Sequence, residues 1–80
     1  MQENYIKIFS QFLGELYESG QMAMPDIAGL MKVFEPVAAW VDSREKLIQF
    51  LKFYLKNYPV LQQLIDRLED RNYNFNLNLK

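Results

Sequence analysis

The sequence predicts an all-α protein: a small four-helix bundle, or two αα-hairpins, carrying an extended C-terminal tail. Three observations predict it. Apolar residues recur at three- and four-residue spacing through four successive stretches. Short breaks marked by Gly20, Pro25, Asp42-Ser43 and Pro59 separate those stretches. Only the last nine residues, "NYNFNLNLK", abandon that spacing for strict alternation. The chain therefore divides into a helical domain, residues 1–71, and a tail, residues 72–80.

The first predicted helix covers about residues 2–19. Tyr5, Phe9, Phe12, Leu13, Leu16 and Tyr17 form its apolar stripe, with Ile6 and Ile8 at the edges, while Lys7, Gln11, Glu15 and Glu18 lie opposite. Ser19-Gly20 ends it, because glycine accepts the left-handed conformation that closes a helix.

A second helix starts at Pro25, which at a first helical position gives up no hydrogen bond, and Asp26 suits the positive end of the dipole. Ile27, Leu30, Met31 and Phe34 set its stripe. Pro36 removes a donor, yet Val37, Ala38 and Val41 continue the stripe in phase, so the expectation is one helix over 25–41, kinked at Pro36.

"VDSREKL" opens the third helix, about 43–57. Asp42 or Ser43 caps it, and Glu45, three after Asp42, matches the reciprocal half of a capping box. Leu47, Phe50, Leu51, Tyr54 and Tyr58 form one stripe, which Ile48, Phe53 and Leu55 widen beyond half the circumference. A helix this apolar touches neighbours on two sides. If the chain covers only one side, the other faces a partner.

Pro59 starts the last helix, about 59–71, with Val60, Leu61, Leu64, Ile65 and Leu68 inward and Gln62, Gln63, Asp66, Glu69 and Asp70 outward. "FLGELY" and "FLKFYL", each followed by a break and a proline-started helix, hint at two related hairpins.

Composition narrows the function. Neither cysteine nor histidine occurs, which removes disulfides, thiolate metal sites and the commonest general base. The expectation is no enzyme, no cofactor and no metal. Nine basic against ten acidic residues leave a net charge of −1 and no electrostatic case for nucleic acid. No apolar run approaches the roughly 20 residues of a membrane span, and the first residues lack a signal-peptide layout, so a cytoplasmic protein is expected. Half of the 80 residues are hydrophobic and 15% are aromatic. A chain this short hides only roughly 60–65% of its unfolded surface, so the surplus points to an interface.

Individual clusters mostly read as structure. Met22, Met24 and Met31 suit gap-filling in a core. Arg44, Lys46, Lys52 and Lys56 make an ordinary solvated face, interrupted by Glu45. Asp66, Glu69 and Asp70 interleave with Arg67 and Arg71 as a salt-bridged surface and lack a calcium loop's ligand spacing. Trp40, flanked by Val33, either anchors an interface or closes the bundle end.

Asp42-Ser43 at a helix start in an 80-residue, four-helix chain resembles the acyl carrier proteins. In that family the serine carries a phosphopantetheine arm, so the resemblance implies modification at Ser43. It covers two residues and the overall size. Arg44 stands where the family has leucine, and the acidity of its recognition helix is missing. An ordinary helix cap has the same two residues.

In the tail, Tyr73, Phe75, Leu77 and Leu79 alternate with four asparagines. The segment docks on helices (its own or a second copy's), pairs with another strand, or stays disordered until bound. The preferred function is a non-enzymatic protein–protein interaction module: a small adaptor, inhibitor, immunity-type or regulatory factor. Its partner is another protein or a second copy, bound through Tyr73, Phe75, Leu77, Leu79, Phe53 and Trp40. The acyl-carrier-like protein and a structural subunit of a larger assembly are the alternatives.

Overall fold

The computed structural model describes residues 3–75, and every regular element among them is helical. Four α-helices follow one another: α1 Tyr5–Glu18, α2 Met24–Phe34, α3 Arg44–Tyr54 and α4 Gln62–Glu69. Helix α1 packs on α2, and α3 on α4, so each consecutive pair is a hairpin.

The ends of the helices are set by local chemistry. Asn4 accepts from the Lys7 amide at 3.1 Å, which caps α1 and starts it at Tyr5. At the other end the Gln21 amide donates to the Leu16 carbonyl at 2.8 Å and the Gly20 amide to the Tyr17 carbonyl at 3.1 Å. This paired arrangement is the Schellman motif, and it turns on Gly20 at φ 75°. Helix α2 begins one residue before Pro25, which occupies its second position.

Helix α2 stops at Phe34, and a 3₁₀ turn, Glu35–Val37, replaces the kinked extension expected to Val41. Pro36 has no amide to give, and its ring excludes the carbonyl four residues back. The backbone nevertheless keeps its right-handed sense, with Ala38 at φ −57°, ψ −39°. The Val41 amide still reaches the Val37 carbonyl at 3.1 Å. Val37 and Ala38 therefore remain half-buried and Val41 buried, which explains their unbroken phase.

Ser43, not Asp42, caps α3, accepting from the Lys46 amide at 3.2 Å. That choice moves Glu45 one place too early for a capping box, and Asp42 pairs instead with Lys46 at 3.0 Å. Helix α3 ends at Tyr54 and turns through Asn57, while a 3₁₀ turn, Pro59–Leu61, leads into α4.

The core consists of 16 apolar residues, with no buried polar or charged residue among those described. Phe9 of α1, Phe34 of α2 and Phe50 of α3 meet at its centre, with ring centroids 4.7, 5.5 and 5.1 Å apart. Tilted and edge-to-face geometry of this kind adds to simple burial. Leu13, Leu16, Leu47, Leu51, Leu61, Leu64 and Ile65 belong to the same continuous buried cluster. One edge position and one stripe position trade places: Ile8, expected at the edge, is buried, and Tyr17, expected in the stripe, is exposed. Met22 is buried and Met31 packs on the core, while Met24 lies exposed.

Candidate interaction surface

Val33, Val37 and Trp40 do not all reach the core: Val37 is half-buried, and Val33 and Trp40 are exposed. They form one wall of a groove between the second and third helices, and Gln49, Phe50, Phe53 and Tyr54 form the other. The groove has a volume of about 300 Å³. Its floor is packed: Phe50 lies against Phe9 and Phe34, and its ring is tilted against that of Tyr54 at 5.2 Å.

Three of the large exposed apolar residues gather here: Val33, Trp40 and Phe53. Phe53 is 81% exposed, and the Tyr54 ring lies beside it at 5.5 Å. Trp40 is 47% exposed, and the Lys46 ammonium sits 5.3 Å from its ring centroid. That cation steadies the indole and leaves one side of it open. Phe53 and Trp40, which the sequence marks separately, thus belong to one surface. Val37 and Tyr54 complete it, although their spacing alone marks them as core.

Tyr73 and Phe75 lie elsewhere. Past α4, Asp70 ends the helix by accepting from the Asn72 amide on its side chain and the Tyr73 amide on its carbonyl, both at 3.0 Å. The chain then runs back over the bundle. Phe75 packs against the core, and the Tyr73 ring meets it edge-on, with centroids 4.8 Å apart. Two arginines hold this segment. The Arg67 guanidinium lies 5.8 Å from the Tyr73 ring centroid and 5.4 Å from that of Phe12. The Arg44 guanidinium lies 5.0 Å from Phe75 and donates to the Tyr73 carbonyl at 2.9 Å and the Asp70 carbonyl at 3.0 Å.

The described part of the tail is therefore docked on its own helices, with Phe75 half-buried there and Tyr73 still 36% exposed. A cleft of about 200 Å³ remains between Phe75, Tyr73 and the helices, lined also by Ile8, Phe12, Leu64 and Arg67. Leu77 and Leu79 lie outside the described residues.

Glu3, Tyr5 and Arg44 share displaced acidity at one end, away from the groove, while Tyr58 is pushed up elsewhere, by burial and by Asp26, to which it donates at 3.2 Å. Two hydrogen bonds from Arg44 hold the Glu3 carboxyl below its ordinary range, against the opposing effect of burial. Burial, then the charge of Glu3, pushes the Tyr5 hydroxyl up. These shifts describe a structural ion pair. The Ser43 hydroxyl is engaged as a helix cap. Among the described residues, no cluster of three acidic side chains could hold a metal ion, and no helix is long and apolar enough to cross a membrane.

No protein-family model, curated protein or solved structure matches the chain.

Proposed function

We propose that this protein is a non-enzymatic protein–protein interaction module, an adaptor or regulatory factor that acts by laying the groove between α2 and α3 against another protein surface. The observation that carries the reading is Phe53, 81% exposed beside Trp40 and Val33 above a packed aromatic floor. An aromatic side chain in water forgoes about 1.5–3 kcal/mol of burial. Aromatic anchors next to a preformed apolar groove are the usual centre of a protein interface, where a few such residues carry most of the binding energy.

The test is a benzophenone-bearing phenylalanine placed at position 53 in cells, with position 62 on the outer face of α4 as control. Irradiation should yield a discrete covalent adduct from position 53 and none from 62. No adduct at position 53 would overturn the reading.

A further inference from the structure

We propose that the occupant of the groove is a second copy of this chain, packed α3 against α3 in antiparallel fashion about a two-fold axis. The inference rests on the interaction reading above and names its partner. It follows from how charge is laid along the exposed side of α3.

Glu45 and Gln49 of α3 and Lys56, in the turn just past its end, follow one another along that side, with Lys52 and Phe53 flanking them; Leu55 keeps right-handed helical dihedrals (φ −60°, ψ −36°) and so carries the line on to Lys56. Glu45, Gln49, Lys52, Phe53 and Lys56 are exposed or half-buried, and among the described residues Glu45, Lys52 and Lys56 have no ion-pair partner. The acid stands at the start of the line, and the bases stand at its end. A stripe of this kind complements itself when reversed, because an antiparallel copy brings Glu45 opposite Lys56 and Lys56 opposite Glu45.

The same register determines what Phe53 meets. With Glu45 facing Lys56, Gln49 faces Lys52, and Phe53 arrives at the level of Ile48. A two-fold axis across both helices keeps the groove on the same side in each copy. Phe53 of one copy therefore enters the end of the other's groove that Trp40 and Gln49 line. Each copy supplies the side chain that the other's groove lacks. The two ion pairs lie on either side, on the order of 16 Å apart along the helix. A wholly acidic helix from a different protein would meet Lys52 and Lys56 favourably but would be repelled at Glu45 and Asp42. The sign change along the stripe favours a self-complementary partner.

Light scattering across a dilution series should give twice the mass of one chain at high concentration and a single chain on dilution. Phe53→Glu should leave a folded monomer. Glu45→Lys and Lys56→Glu should each raise the dimer dissociation constant by roughly tenfold, since each replaces two attractions with two repulsions. Combining them in one chain restores opposite charges across the axis and should return the constant to near its original value. Three results would overturn the proposal: a single-chain mass at millimolar concentration, a dimer that survives Phe53→Glu, or a double variant no tighter than either single one. The position-53 adduct separates the two ideas. An adduct with a different protein from a monomeric chain defeats the dimer and leaves the module reading standing, whereas no adduct defeats both.

Discussion

Arg44 grips Glu3 with both arms of its fork, Nε donating to Oε1 at 2.8 Å and Nη2 to Oε2 at 2.7 Å, across 41 positions of sequence. Nη1 meanwhile donates to the carbonyls of Asp70 at 3.0 Å and Leu68 at 3.5 Å, and Nη2 also reaches the Tyr73 carbonyl. One guanidinium thus joins the segment before α1, the start of α3 and the chain leaving α4. Its side chain is only 20% exposed, so the pair is less screened than an ordinary surface bridge.

Arg44→Lys should therefore destabilise the protein despite conserving charge. An ammonium cannot make the paired contact and reach three carbonyls at once. The expected loss is about 1–3 kcal/mol by urea unfolding. Because Tyr73 and Phe75 lose their anchor, trypsin should also cut faster after Arg71, which is exposed just before them.

The same pair makes stability depend on acidity. The Glu3 carboxyl titrates below its ordinary 4.5 in the folded chain, owing first to the Arg44 hydrogen bonds. The unfolded chain thus takes up the proton at higher pH than the folded one. This contribution is complete above about 4.5 and is lost as pH falls through the lowered folded value. Glu3→Gln should flatten that limb of a denaturation-versus-pH curve and leave little pH dependence between about 6 and about 8 to distinguish the two proteins.

Phe34 touches both other rings of the central trio and is 1% exposed. Phe34→Ala removes it from the junction of three helices and should cost about 3–5 kcal/mol. A domain this small has roughly 5–10 kcal/mol in all, so circular dichroism should show much of the chain unfolded well below the wild-type melting temperature.

Two glycines should respond in opposite directions to the same substitution. A Cβ at either Gly20 or Gly29 would meet no atom within 4 Å, so sterics with neighbours decide neither case. Gly20 stands at φ 75° in the Schellman turn, and Gly20→Ala should cost about 1–2 kcal/mol. Gly29 lies inside α2, and Gly29→Ala should gain about 0.5–1 kcal/mol by restricting the unfolded chain. Paired thermal melts read both signs.

Much of the bundle is legible in the amino-acid order alone. Four periodic stripes and their proline, glycine and serine boundaries encode four helices, because helical periodicity and capping are local properties. The boundaries that differ do so for reasons equally local but finer. The Asn4 side chain sets the start of α1, Ser43 rather than Asp42 caps α3, and the missing amide of Pro36 changes an α-helix into a 3₁₀ turn.

What the sequence determined by itself was which residues are apolar, in what period, and hence which helices form and which face each must bury. It also marked Phe53 and Trp40 as surplus. Only the tertiary structure decided that these two share a groove, whereas Tyr73 and Phe75 fold back under Arg44 and Arg67. The physical reason is that burial of a side chain depends on which neighbour arrives to cover it. Helices α1 and α4 cover one side of α3's wide apolar surface through Leu47, Leu51 and Phe50. No element of the described chain covers Phe53, and the periodicity that makes it surplus does not say which neighbour leaves it open. Likewise, nothing near Arg44 in sequence announces Glu3 or Tyr73 as its partners, because those contacts exist only once distant segments have packed.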